Sequence, residues 1–180
     1  MNLLRPLILL SLPLLLSTQP DCGGSYRWDV KTAQDTCRII AKPIRSTISY
    51  LTAIPRPTIN NSHNRYGIEH NIFTIRVSVR LYKREDDGDY HLVLTDSTGK
   101  TMVGEIPDPL CPAVQSSRYI LSIQKAREFF VFKMKQPAGK VAPGTYEIKG
   151  IAFFDKIHGA TGEAKNGVEL HPIISIKRIN

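Results

Sequence analysis

The sequence predicts a mainly β protein, a small closed barrel of five strands carrying one helix, and three observations point to it. After His70, the apolar residues Phe73, Ile75, Val77, Val79 and Leu81 alternate with Thr74, Arg76, Ser78, Arg80 and Tyr82, the period-two pattern of a half-buried strand. Turn chemistry then interrupts the strand pattern at Asp86, Asp87 and Gly88 and again at Ser97, Thr98 and Gly99. The clearest helical spacing, Ile120, Ile123, Ala126, Phe130 and Met134, falls after the third strand.

Taken in order, the first strand runs through Phe73 to Tyr82, the second from Tyr90 to Thr95 and the third from Thr101 to Ile106. Pro107, Asp108, Pro109 and Pro112 close this meander, because proline cannot donate to a central ladder. A helix capped by Ser116 or Ser117 follows, ended by Pro137 and Gly139. Two further strands, Thr145 to Phe154 and Val168 to Ile179, complete the chain, with Gly150 suited to a bend in the fourth. This order over residues 71–180 is that of an OB-fold, a five-stranded Greek-key barrel, with a small antiparallel sandwich as the competing architecture. Such barrels take ligands across strands two and three, between the first-hairpin loop and the loop joining strands four and five. Those loops are Glu85 to Asp89 and Asp155 to Gly167.

The rest of the chain divides at residues 21 and 70. Arg5 precedes the run Pro6 to Leu16, apolar except for Ser11, which is the pattern of a secretory signal over residues 1–21. The run is shorter than the roughly 20 apolar residues that a membrane span needs, so no transmembrane segment is expected in the mature chain and the location is secreted or periplasmic. No small-x-small pair before Cys22 fixes the cleavage point. Residues 22–70 are irregular, with Pro43, Pro55, Pro57 and an exposed Asn60 to Asn64 cluster. The spacing of Ile44, Ile48, Leu51 and Ile54 predicts one short helix over Arg45 to Ala53.

Without residues 1–21 the chain keeps 23 Lys and Arg against 15 Asp and Glu, a net charge of +8. That field favours anionic polymers or an envelope protein as partners, or serves solubility alone. Of three cysteines, Cys22, Cys37 and Cys111, an oxidising compartment would pair two, and three pairings are open. No CxxC pair marks a zinc site, and no nucleophile elbow or phosphate-binding glycine loop occurs.

The chemistry lies in two dense segments, Glu85 to Pro109 and Phe153 to Pro172, which hold three of the five histidines. Asp86, Asp87 and Asp89 around Gly88 read as a turn before they read as a calcium loop, since the twelve-residue ligand spacing is absent. His91 and Glu105 sit on adjacent strands, where a cross-strand ion pair competes with acid and base work. Asp155, His158, Glu169 and His171 form the stronger constellation. Glu169 and His171 are two apart and point the same way, and the set reads either as a structural network or as a divalent metal site for zinc or manganese.

The runs EDDGDYHLVLTD, GKTMVGEIPDPLC and GIAFFDKIHGATGEAKNGVELHPI, with Cys22, Gly23, Arg27, Trp28, Val30, Lys31 and Thr32 at the other end, resemble a family of uncharacterised bacterial secreted proteins. The chain departs from that pattern around Gly24 to Tyr26, in lacking a glutamate before Arg27, and at Lys156, where an aromatic residue usually follows FFD. The resemblance implies a bacterial exported protein and a Cys22–Cys111 disulfide, with Cys37 outside the match. It brings no activity with it. The expected function is a non-enzymatic binding module for an anionic polymer or a protein partner. A metal-dependent phosphodiesterase similar to staphylococcal nuclease is the alternative, on Asp87, Gly88, Asp89 and Asp108, and a structural envelope component is the third reading.

Overall fold

The computed structural model describes residues 22, 26–133, 138–141 and 143–179. The signal segment over residues 1–21 lies outside them, as do Met134 and Pro137.

The elements are α1 (Trp28–Lys31), β1 (Ile40–Ser46), α2 (Ile48–Leu51), β2 (Asn71–Arg84), β3 (Tyr90–Thr95), β4 (Thr101–Ile106), α3 (Pro112–Gln115), α4 (Ile120–Lys133), β5 (Ala138–Lys140), β6 (Tyr146–Phe154) and β7 (Val168–Arg178). A long first strand lets one ladder change partners. The first half of β2 pairs antiparallel with β6, from Ile72 opposite Ile151 to Val77 opposite Tyr146, and its second half pairs with β3, from Ser78 opposite Thr95 to Arg84 opposite Tyr90. β3 then pairs with β4, β4 runs parallel to β7, and β7 returns to β6. The circuit β2-β3-β4-β7-β6-β2 closes a five-stranded barrel of the OB type, and the register shifts on both sides of Gly150, where the bend was expected.

Alternation decides which residues fill it. Tyr90, Leu92 and Leu94 of β3, Met102 and Ile106 of β4, Ala152 and Phe154 of β6, and Val168 and Leu170 of β7 share one core with Phe130 of α4. Phe130 packs its ring 5.4 Å from that of Tyr82 and 5.3 Å from that of Tyr90.

Three local expectations differ from the structure. Ile44 belongs to β1, which runs parallel to β2 with Ile44 opposite Phe73, so only Ile48–Leu51 is helical. The isoleucine spacing misleads because Ile44 is 44% exposed while Ile48 and Leu51 are fully buried; they do not share one face. Pro43 is tolerated because β1 is an edge strand. The helical region after the meander also begins earlier, with Pro112 opening α3, and restarts at Ile120 after Ser117 accepts the Ile120 N–H. Gly139, expected to stop the helix, instead lies in β5, paired opposite Tyr82.

Cys22 and Cys111 form a disulfide across 89 residues, and Cys37 is free. No helix among the described residues is long and apolar enough to cross a membrane. Closing so long a loop constrains the unfolded chain. Replacing both Cys22 and Cys111 with serine is expected to cost about 2 to 5 kcal/mol in urea unfolding, whereas Cys37→Ser should leave the midpoint where it is.

Candidate functional site

The strands that send Leu92, Met102, Phe154 and Leu170 inward send the intervening residues outward, and these are not solvated. His91 on β3, Glu105 on β4, Phe153 on β6, and Glu169 and His171 on β7 meet on the outer face of the barrel, under a cover. The cover has two parts. One is the amino-terminal segment around α1; the other is the 155–167 loop.

The amino-terminal segment is held by charge and by aromatic contact. Arg27 donates to both oxygens of Glu69 at 2.7 Å, to the carbonyl of Asn64, and lies 5.1 Å from the Phe153 ring centroid. Glu69 also accepts the backbone N–H groups of Tyr66 and Phe154, so one carboxylate joins the segment, the 67–70 turn and the end of β6. Arg65 is similarly buried on Asp35, at 2.6 and 3.0 Å. These contacts set Lys31, the last residue of α1, over the outer face. Its ammonium lies 3.1 Å from Glu105 Oε2, 3.1 Å from Asp155 Oδ2 and 3.7 Å from Glu169 Oε1.

The loop is pinned from the other side. Asn166 donates to the carbonyls of Leu51 and Ile54, Arg56 donates to the carbonyl of Asp155, and His91 Nε2 stands 3.1 Å from the Thr161 carbonyl. At Gly162, φ is +85° and a Cβ would come within 2.7 Å of Val93, so only glycine lets the loop lie this close to β3.

His171 sits beneath, fully buried. Its Nδ1 is 2.7 Å from the Lys31 carbonyl, which can only accept, so Nδ1 carries a proton. Its Nε2 lies 3.3 Å from Asp89 Oδ2 and 3.2 Å from Glu105 Oε2. Burial and the Lys31 ammonium oppose a charged imidazole, but the hydrogen bonds to Asp89 and Glu105 prevail and push His171 up to about 9. Burial alone would raise Glu105 too. The Lys31 ammonium and hydrogen bonds from His171 and His91 instead hold it well below the usual carboxylate range. Glu169 goes the other way: burial, against the pull of Lys31 and with repulsion from Glu105 and Asp155, raises it to about 8.

Of the residues expected from sequence, Asp89, His91, Glu105, Asp155, Glu169 and His171 come together. His158 is exposed on the loop at the cleft wall, and none of these ion pairs includes it. The acids of the first hairpin diverge. Asp87 Oδ1 accepts the Asp89 N–H, Asp86 is exposed, and Asp89 turns inward to accept the Asp108 N–H at 2.8 Å. Asp108 in turn receives Arg84 and Arg127, and it packs so close that a Cβ on Gly88 would come within 2.5 Å of its carboxylate.

Lys31 was not foreseen as a site residue, nor were Arg27 and Glu69. A lone lysine in the segment WDVK carries no spacing signal. Its three carboxylates lie 74 to 138 positions further along the chain.

Beside this network opens a cleft of about 990 Å³. It lies between the two loops, with Leu81 to Lys83 of β2, His91 and Val93 of β3, Glu105 of β4 and Ala138 and Gly139 of β5 along its walls. Five carboxylates border it, from Glu85, Asp86, Asp87, Glu105 and Asp155, against the ammonium groups of Lys31 and Lys83. Both lysines are already engaged, Lys31 as above and Lys83 at 3.0 Å from Glu85. The cleft is thus acidic on a basic protein. Comparison of the chain with family models, with curated proteins and with solved structures finds no match.

Proposed function

We propose that this chain is an exported, non-enzymatic binding module of the OB type whose ligand occupies the cleft between residues 85–89 and 155–167. The position of the cleft carries this reading: it stands over β3 and β4, framed by the two loops that such barrels use. The floor supports binding rather than turnover. His171 and Asp89 are buried beneath the cover, and both ring nitrogens of His91 are engaged, by Glu105 and by Thr161. A general base needs a free acceptor within reach of substrate.

Charge selects among the partners that the composition suggested. A protein segment presenting lysine or arginine fits five bordering carboxylates better than an anionic polymer does. The overall field of +8 opposes such a partner at long range, but screening over about 8 Å at physiological ionic strength leaves local contacts to decide. Titration calorimetry with a short oligo-arginine peptide and with polyglutamate tests this. Salt-sensitive binding of the cationic peptide is expected, weakened about tenfold, or 1.4 kcal/mol, by the double change Asp86→Asn with Asp87→Asn. Binding of polyglutamate alone, or of neither, would overturn it.

A metal-dependent phosphodiesterase is the second reading. It is favoured by the convergence of donor atoms from Asp89, Glu105 and His171, all within 4.8 Å of one another. Cleavage of DNA with manganese, zinc or calcium, stopped by chelator, would establish it. The burial of Asp89 and His171 away from any polymer weighs against it.

A further inference from the structure

A second depression, of about 540 Å³, adjoins the cleft, and Leu81, Val93 and Thr161 line both. Its charge is opposite. Among the described residues only Arg80 and Lys140 bring charge to it and no carboxylate borders it, whereas five border the cleft. Arg80 and Lys140 are both exposed, and neither forms an ion pair with a described residue.

A β-bulge makes this surface. The ladder between β2 and β3 slips between Val79, opposite Leu94, and Leu81, opposite Val93, so Arg80 is an extra residue on β2 and the alternation breaks there. Strict alternation puts Leu81 inside and Tyr82 outside. Instead Val79 and Tyr82 join the core, while Arg80 and Leu81, adjacent in sequence, both face out. β5 extends the row on the other side, where Lys140 stands opposite Leu81. Lys140, Leu81 and Val93 therefore follow one another across three strands: a cation, a leucine 38% exposed, and the valine on which Gly162 of the covering loop rests.

We propose that the two depressions form one bipolar groove, and that its ligand is an extended polypeptide segment with a cationic side chain, an apolar side chain two positions away and a carboxylate two further on. The proposal rests on the binding reading above and adds a second, opposite charge to the ligand. Spacing supports it. Arg80 and Arg84 lie roughly 13 Å apart at the rise of a strand, and Asp86 is in the turn just beyond. In an extended ligand, alternate side chains face one side, and three of them in succession span roughly the same 13 Å. The ligand cation meets Asp86 and Asp87, its apolar group covers Leu81, and its carboxylate reaches Arg80 and Lys140.

The test is titration calorimetry of the purified protein with a blocked pentapeptide carrying arginine, leucine and aspartate at alternate positions, made in both sequence directions. In the better direction it is expected to bind about fivefold more tightly than the same peptide with asparagine for aspartate, the scale of one exposed ion pair. Arg80→Gln combined with Lys140→Gln should abolish that difference; both side chains are exposed, so an unchanged thermal midpoint is expected alongside. Asp86→Asn with Asp87→Asn should instead weaken both peptides alike. Equal affinity of the two peptides for the parent protein, or a difference that survives the changes at Arg80 and Lys140, overturns the bipolar groove and leaves the cationic ligand standing. Failure of both pentapeptides beside binding of oligo-arginine overturns the groove alone, and failure of all three overturns the binding reading with it.

Discussion

Glu69→Ala is expected to destabilise the protein by about 3 to 5 kcal/mol, the cost of leaving a buried guanidinium without its carboxylate. Glu69 and Arg27 side chains are both fully buried, and Glu69 additionally satisfies two backbone N–H groups, those of Tyr66 and Phe154. The effect should reach the site, because Arg27 immediately precedes α1 and α1 places Lys31. Urea unfolding gives the magnitude. Hydrogen exchange gives the location: amides of residues 26–35 and of the 155–167 loop should lose protection even where the barrel strands keep theirs. Glu69→Gln, which retains the acceptor and loses the charge, should fall between the parent and Glu69→Ala. Loss of protection spread evenly over the barrel would show that the amino-terminal segment is not a separate cover.

The protein should be most stable close to the ordinary glutamate value of 4.5 and should lose stability as pH rises toward 9. Glu169 keeps its proton in the folded protein up to about 8, against an ordinary value of 4.5, so between those values the folded state binds more protons than the unfolded chain and each increment of pH favours unfolding. His171 acts in the same direction over a later window. Its stabilisation is complete below 6.5 and disappears as pH passes through about 9. Glu105, held low by Lys31 and the two histidines, acts oppositely: its contribution is lost as pH falls below the ordinary carboxylate range. The acid limb belongs to Glu105, and the alkaline limb to Glu169 and then His171. Each unit of pKa separation corresponds to about 1.4 kcal/mol, so thermal midpoints measured from pH 4 to 9 should fall by many degrees across the alkaline limb. Glu169→Gln should flatten the limb between pH 5 and 8 and leave the part above 8. A flat profile in the parent protein would mean that folding does not raise the proton affinity of Glu169 and His171.

The barrel was legible because its determinants are local. Alternation over Phe73 to Tyr82, the Asp86 to Gly88 turn and the prolines after Ile106 each act within a few residues, and β3 and β4 begin and end where the pattern places them. The parallel strand β1 was not legible, since its pairing with β2 is a tertiary choice and its burial pattern has no alternation. The site follows the same division. His91 opposite Glu105 is a register consequence of two readable strands, and Glu169 and His171 share a face by parity. Lys31, Arg27 and Glu69 act only through contacts with residues far along the chain, so nothing in their neighbourhood marks them. Asp87 and Asp89, adjacent in the same turn but for Gly88, separate into an exposed-side cap and a buried partner of His171, a distinction fixed by Arg127 and Asp108 rather than by the turn itself.

The cover that buries this face has an order in time. Lys31 is made 140 residues before His171, the residue whose imidazole donates to its carbonyl, and Cys22 is made 89 residues before Cys111. The end of α1, made early, therefore meets its last partners only when β7 is made. Until the carboxyl-terminal strand has arrived, Glu105 of β4 lacks its His171 partner, and the amino-terminal segment, although Arg27 already has Glu69 to dock on, lacks the donor to its Lys31 carbonyl and one of the carboxylates around its ammonium. A chain built this way can close its outer face only once its last strand is in place.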